Sequence, residues 1–387
     1  MSSRRYHSLI VLSLIFGIYL IFIATGDSNG NSTLLALIGS NSLSRNAVPP
    51  YRVPIPDEYY LPKNENTSPT RKANAAILML ARNSDLNGVV TSVKQMEDRF
   101  NKKFQYPYIF LNEQPFEEAF ITRVTELTDA EVKFGIIPKE HWVQPEYIDE
   151  ARAAASRGRM VQSNIIYGGS VSYRNMCRFN SGFFYQHELV QPLQYYWRVE
   201  PDVKFFCDLD YDPFLLMEDQ DKLYGFNVAL YEFQATIPTL WDAVKEFTTN
   251  NPEYVAPDNA MDFLSDNGGT SYNLCHFWSN FEIANLDLWR SEAYTKFFEF
   301  LDRKGGFYYE RWGDAPVHSM AASLFLNKSQ LHFFDDIGYR HEPFEHCPGG
   351  ESHKKGKCAC DSADNFDYQP YSCYTRYEKL FPNVTYS

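Results

Sequence analysis

A chain of 387 residues with 44% apolar content has ample material for a core, in one large α/β domain or two average ones. Its formal charge of −13 argues against nucleic acid as a partner, because no basic stripe is available to neutralise a polyanion, while a few local cations can still grip a small phosphorylated ligand. Aromatic content is 16%, most of it core by default, with cleft-lining rings for sugars or bases as the alternative use.

Arg4 and Arg5 precede an uncharged run from Tyr6 to Gly26. At about 1.5 Å per residue this run is long enough to cross a hydrocarbon core of roughly 30 Å. The expectation is a transmembrane signal-anchor over 6–26 with a cytosolic tail over 1–5. A cleaved signal peptide ending at the small residues Ala24 or Gly26 is the competing reading. The basic N-terminal flank gives type II topology, with the rest of the chain in the lumen. Residues 27–71, rich in Ser, Asn and Pro, read as a stem. Sequons at Asn31, Asn66, Asn327 and Asn383 fit luminal exposure.

The folded part is expected over 72–387. Ala75–Ala81 (AAILMLA) reads as a buried strand, and Arg82–Asp85 as a helix start. Leu86, Val89, Val90, Val93, Met96 and Phe100 then follow helical spacing. Tyr108–Leu111 is the next strand, with Pro115–Leu127 and Pro145–Arg159 as helices. Alternation of strand and helix implies a doubly wound α/β sheet. No glycine-rich phosphate loop follows the first strand, so dehydrogenase and P-loop readings lack their defining residues.

The stretch Tyr195–Asp212 (YYWRVEPDVKFFCDLDYD) reads as two short apolar strands, each ending in acids. Pro201 stops the first, because proline cannot continue a central ladder. Carboxylates where strands leave a sheet can hold a divalent cation against phosphates; as Asp and Pro are also common in turns, the bland reading competes. In Tyr167–Phe184, mixing Gly, Tyr and Arg, Arg174 and Arg178 (with Arg198 further on) are candidates for charge-assisted bonds to a diphosphate. Seven cysteines stand at 177, 207, 275, 347, 358, 360 and 373. Four crowd into the last 27 residues of that range beside His346 and His353, but without the paired C-x2-C knuckles of a zinc site. Disulfides tying down a loop-rich tail are the better reading, and the odd count leaves at least one thiol over.

Five blocks are more specific: YYWRVEPD, TIPTLWDA (Thr236–Ala243), SYNLCHFWSNFEIANLDLW (Ser271–Trp289), ERWGDAPVHS (Glu310–Ser319) and FFDDIGYRHEPFEHCP (Phe333–Pro348). In order and composition they closely resemble the fungal α-1,2-mannosyltransferases of glycosyltransferase family 15, over about Ala73–Cys373. The resemblance implies a GT-A-like nucleotide-sugar transferase fold with a mixed sheet. It also implies retaining transfer of mannose from GDP-mannose to the 2-hydroxyl of an acceptor mannose, with Mn2+. The same family layout places such enzymes on Golgi or endoplasmic reticulum membranes, acting on O-linked or N-linked glycans or glycolipids. By the same resemblance, Glu200 of the EPD segment and His341 of the GY-x-H segment are metal ligands. Glu282 of NFEIA is the catalytic carboxylate, and Tyr173 and Arg198 lie near the phosphates.

Carboxylate, imidazole and phosphate oxygens form an acceptable shell for Mn2+, whereas Ca2+ favours oxygens alone. Retention admits a covalent intermediate on Glu282 or a front-side route in which Glu282 only stabilises developing positive charge. Phe277, Trp278 and Phe281 surround Glu282 in sequence as candidate sugar-stacking rings. Asp314 is a plausible N-cap and the second candidate carboxylate, His318 reads as structural, and the literal D-x-D at Asp208 and Asp210 reads as a structural decoy. Two other function classes stay in play: a catalytically idle glycan-binding paralogue, which binds acceptor without turning over donor, and a glycoside hydrolase, which needs no nucleotide.

Overall fold

The computed structural model describes residues 59–60 and 71–381. The 6–26 anchor, nearly all of the stem and the sequons at Asn31, Asn66 and Asn383 lie outside the described residues. No helix among the described residues is long and apolar enough to cross a membrane.

Seven strands form the central sheet: β1 (Ala75–Leu80), β2 (Tyr108–Asn112), β3 (Val132–Ile136), β4 (Tyr195–Arg198), β6 (Tyr224–Phe226), β9 (Glu282–Asn285) and β10 (Leu331–Phe333), in the order β10-β6-β9-β4-β1-β2-β3. The unbroken apolar run of β1 follows from its central place. Ala75, Ile77 and Met79 point into one core and Ala76 and Leu78 into the other, so neither face can be polar. The strands β3, β2, β1 and β4 are parallel, and β10 is parallel to β6. Only β9 runs against its neighbours, β4 and β6. That reversal pairs its first residue, Glu282, with the last residue of β4, Arg198. A carboxylate thereby reaches the edge where the parallel strands end, which is where ligands bind in open α/β sheets.

Two small sheets complete the architecture. β5 (Lys204–Phe205) pairs antiparallel with β11 (Tyr339–His341), which pairs with β12 (Phe344–His346). β7 (Ala229–Tyr231) pairs with β8 (Cys275–Phe277). The β5–β11 pairing carries His341 to the turn that follows β4.

Of the helices flanking the sheet, α1 (Leu86–Met96) buries Val89, Val93 and Met96, the positions set by its apolar spacing. Beyond it the same periodicity continues through a wider π turn at Glu97–Asn101. Here Glu97 is buried because the Tyr108 hydroxyl and Asn101 amide donate to it at 2.8 and 3.1 Å. The helix expected over Pro115–Leu127 is α2 (Glu118–Thr125); Asn83 clamps the preceding turn by donating to Pro115 O and accepting from Glu117 N–H. The helix expected over Pro145–Arg159 is α3 (Glu150–Gln162), five residues later. Its start is set by Asp149, whose carboxylate accepts from Arg152 N–H at 3.1 Å. Next come α4 (Val171–Gly182) and α5 (Asp314–Phe325). Asp314 is the first residue of α5 rather than its cap, a place taken by Gly313.

The tail is stapled as expected, but mostly to the body. Disulfides join Cys207–Cys358, Cys275–Cys373 and Cys347–Cys360, leaving Cys177 free and buried. Cys347 and Cys360 also lie near His353 in a metal-like cluster, but their sulfurs are bonded to each other and cannot act as thiolate ligands. Asp208 and Asp210 turn away to pair with Arg99 and Lys103.

Candidate active site

Glu200 stands in the turn that ends β4. The Ser92 hydroxyl of α1 donates to Glu200 O at 2.8 Å and accepts from Val203 N–H at 3.1 Å, stitching the turn together. Asp202 is left-handed at φ +64°, and its N–H donates to Gly88 O. A Cβ on Gly88 would lie 2.6 Å from the Asp202 carboxylate, so glycine is what permits this approach.

His341 Nε2 faces Glu200 Oε2 at 3.5 Å, with the side chains 32% and 28% exposed, so both remain open to a ligand. The His341 Nδ1–H donates to Glu342 O at 3.1 Å. A carbonyl only accepts, so in the neutral ring the lone pair sits on Nε2, toward Glu200. Carboxylate and imidazole at this separation can share one cation, and the donor types suit Mn2+. The residues fit the ion.

Arg198 is the hub beside them. Its guanidinium donates to Glu200 Oε1 at 2.6 Å, Asp314 Oδ2 at 2.5 Å and Ser279 Oγ at 3.3 Å, and Ser279 in turn donates to Asp314. Burial works to lower the Arg198 pKa, but Asp314, Glu200 and Glu282 outweigh it and hold it well above the ordinary value. Burial likewise works to raise Glu200, yet Arg198 and His341 bring it down to about 2. Glu200 is therefore an ionised carboxylate with one oxygen fixed by arginine and the other free to bind.

Glu282 is 1% exposed and held by three hydrogen-bond partners. Tyr196 Oη donates to Oε1 at 2.6 Å, Tyr224 Oη to Oε2 at 3.2 Å, and His318 Nδ1 lies 3.0 Å from Oε2. Trp289 Nε1–H donates to Tyr196 Oη at 3.0 Å, so the only proton on that hydroxyl points at Glu282. Burial and the nearby Glu282 charge push both tyrosines well above their ordinary pKa, keeping them donors. His318 Nε2 faces Asn180 O at 2.9 Å, which requires a proton on Nε2. The contact at Nδ1 then needs a second proton, on the ring or on Glu282. One cavity is lined by Glu282, Tyr196, Arg198 and Asn180, with Leu78 and Phe184 on its apolar side.

The structure thus brings Glu200, His341, Arg198 and Glu282 to one edge, with Asp314 joined through Arg198. Tyr173 stands further out: its ring lies between Tyr167 and the Arg311 guanidinium, 4.4 and 5.1 Å away. Arg174 and Arg178 are corrected as phosphate candidates. Arg174 is fully buried on the carbonyls of Glu310, Tyr167 and Ser170, and Arg178 is bidentate to Asp302 at 2.8 Å. Phe277 and Phe281 are fully buried core and cannot stack on a sugar; Trp278, edge-on to His341 at 5.1 Å, is the ring of the three left near the site. His318, read as structural, touches the catalytic candidate directly. Nothing in its helical neighbours signalled this, whereas the pairing of β9 with β4 and β6 would have pointed to Tyr196 and Tyr224. Asn327, the one sequon asparagine described, is half-buried, and its N–H donates to Gln330 Oε1.

A family model described as glycolipid 2-alpha-mannosyltransferase matches residues 52–381. The glycolipid 2-alpha-mannosyltransferase of Saccharomyces cerevisiae is 52% identical over 307 residues, 79% of this chain and 69% of that one. The alpha-1,2 mannosyltransferase KTR1 of the same yeast is 52% identical over 315 residues, 81% of this chain and 80% of its own length. Among solved structures, core-mannan synthase A (CmsA/Ktr4) of Aspergillus fumigatus, in its Mn/GDP form, superposes with a TM-score of 0.76 at 41% identity, covering 82% of this chain and 87% of that one. Most of the chain is covered at this identity, and it is a member of the glycolipid 2-alpha-mannosyltransferase family.

Proposed function

We propose that this chain is a retaining α-1,2-mannosyltransferase that moves mannose from GDP-mannose to the 2-hydroxyl of a mannose on O-linked or N-linked glycans. The observation that carries it is the Glu200–His341 pair, 3.5 Å apart and steadied by Arg198, in a fold shared with a structure solved with Mn and GDP. A divalent cation bound there supplies Lewis-acid stabilisation of the departing diphosphate. Glu200 and His341 hold it, and Arg198 keeps Glu200 ionised and aimed.

Glu282 faces the cavity beside Arg198. Its three hydrogen-bond partners engage both oxygens, which weakens it as an attacking group and suits a fixed carboxylate that steadies a cationic anomeric centre. Tyr196, Tyr224 and His318 serve to keep it in place. Asp314, bound to the other side of Arg198, is the second carboxylate at this edge. The same reading places the chain as a type II protein of the Golgi or endoplasmic reticulum, anchored by 6–26. Three disulfides support an oxidising compartment.

The test is transfer of labelled mannose from GDP-mannose to methyl α-mannoside with and without Mn2+, with the product linkage read by NMR. An α-1,2 product formed only with the metal is expected. Hydrolysis of mannosides without nucleotide, or donor-free acceptor binding without turnover, would refute the reading.

A further inference from the structure

The loop between α3 and α4 presents an aromatic ring that the site described above does not use. Tyr167 is left-handed at φ +57°, uncommon for any side chain and costly for an aromatic one. Its ring is 55% exposed, so burial does not repay that strain. The ring lies parallel to Tyr173, with centroids 4.4 Å apart at 11°, and Arg311 covers the Tyr173 ring at 5.1 Å.

The loop is built to hold this pose. Fully buried Arg174 donates to the carbonyls of Tyr167 and Ser170 at 3.3 and 2.9 Å. Gly168 N–H donates to Ile165 O, and Ser170 N–H to Tyr167 O. Cβ atoms on Gly168 and Gly169 would come within 2.7 and 2.8 Å of Met160 and Val161, so both glycines allow the loop to sit down on α3. Rigid, preformed surfaces of this kind lose little entropy on binding.

Beneath the stack the polar groups are unfinished. Arg311 is 4% exposed, its Nε has no partner, and its nearest carboxylate, Glu232, is 4.0 Å away. Next to Glu232, the Phe233 ring is 57% exposed. Arg311 is three residues from Asp314, which is bound to Arg198, and the Asp314 charge acts on Tyr173, so the stack stands near the catalytic edge. An exposed aromatic face held rigidly on a second ring matches the apolar C–H face of a sugar.

We propose that Tyr167, Tyr173 and Arg311 form a subsite for the second sugar of the acceptor, the one linked to the mannose that receives the transfer. The inference rests on the mannosyl-transfer reading. Tyr167 offers the stacking face, and Tyr173, backed by Arg311, holds that ring in place.

The experiment compares kcat/KM for α-1,2-linked mannobiose and methyl α-mannoside in the wild type, Tyr167→Ala, Tyr167→Gly and Tyr167→Phe. The expected result is a fall of about tenfold in the mannobiose-to-methyl-mannoside ratio for Ala and Gly, with Phe restoring it. Glycine accepts φ +57° without strain, so loss of the ratio in Tyr167→Gly with an undiminished thermal midpoint excludes unfolding as the cause. An unchanged ratio in both small variants overturns the subsite. So does an unchanged ratio with weakened GDP binding, which would assign the ring to the base. Failure of the wild type to transfer to either acceptor would instead sink the mannosyl-transfer reading, and the subsite with it.

Discussion

Deleting one oxygen at Tyr196 probes how Glu282 is held. In Tyr196→Phe, the carboxylate loses its shortest donor, at 2.6 Å, and the indole N–H of Trp289 loses its acceptor, at 3.0 Å. A hydrogen bond to a charged group contributes about 1.5–3 kcal/mol, and a stranded buried N–H costs about 1–3 kcal/mol more. The expected loss is therefore about 2.5–6 kcal/mol. Tyr224→Phe removes a longer bond, 3.2 Å, and should cost roughly 1.5 kcal/mol. Denaturant unfolding with the disulfides intact measures both. A cycle with Trp289→Phe isolates the indole contact as a coupling of about 1 kcal/mol. Since Glu282 itself remains but is less firmly held, Tyr196→Phe should also lower kcat while leaving KM for GDP-mannose nearly unchanged. Equal and small costs for the two tyrosines, below about 0.5 kcal/mol, would refute the claim that Glu282 is a pinned carboxylate.

Other expectations follow from single residues. Burial, with the Asp335 charge beside it, pushes Asp336 up to about 7, despite a 3.0 Å bond from the Tyr211 hydroxyl. An acid raised in the folded state binds its proton more tightly there, so the stability it gives is full below about pH 4 and lost as pH rises to 7. Asp336→Asn should therefore raise the thermal midpoint at pH 8 more than at pH 5. Gly88→Ala drives a methyl into Asp202; it should cost about 1–3 kcal/mol and weaken Mn2+ binding through the displaced turn, checked by unfolding and metal titration. Asp208→Asn and Asp210→Asn, which break only partly exposed ion pairs, should each change stability by about 1 kcal/mol or less and leave metal affinity alone in the same titration.

Much of the catalytic edge was legible because short motifs sit where strands end. Pro201 marks the end of β4, and the acid before it lands at the ligand edge. The apolar run AAILML announces a central strand because both faces of β1 are buried. Individual partners were less legible where long-range pairing decides them. Arg174 and Arg178 read as cations for phosphate, yet one caps loop carbonyls and the other grips Asp302, contacts 124 to 136 residues distant in two of the cases. His318 looks like any residue of an apolar helix, and only the packing of α5 against β9 and α4 reveals that both ring nitrogens are engaged. Phe281 immediately precedes Glu282 but points into the opposite core, since alternation along an extended chain sends neighbours to opposite faces, and Phe277 belongs to another strand, β8, with its ring in the core.

The central claim is that one carboxylate and one imidazole, brought together by the β5–β11 pairing, form the protein's share of a manganese site. Electron paramagnetic resonance titration of Mn2+ in the presence of GDP tests it on the wild type, Glu200→Gln and His341→Gln. Each substitution should weaken binding at least about tenfold, a loss of roughly 1.4 kcal/mol, while far-ultraviolet circular dichroism stays that of the wild type. Wild-type manganese affinity in both variants would contradict the account.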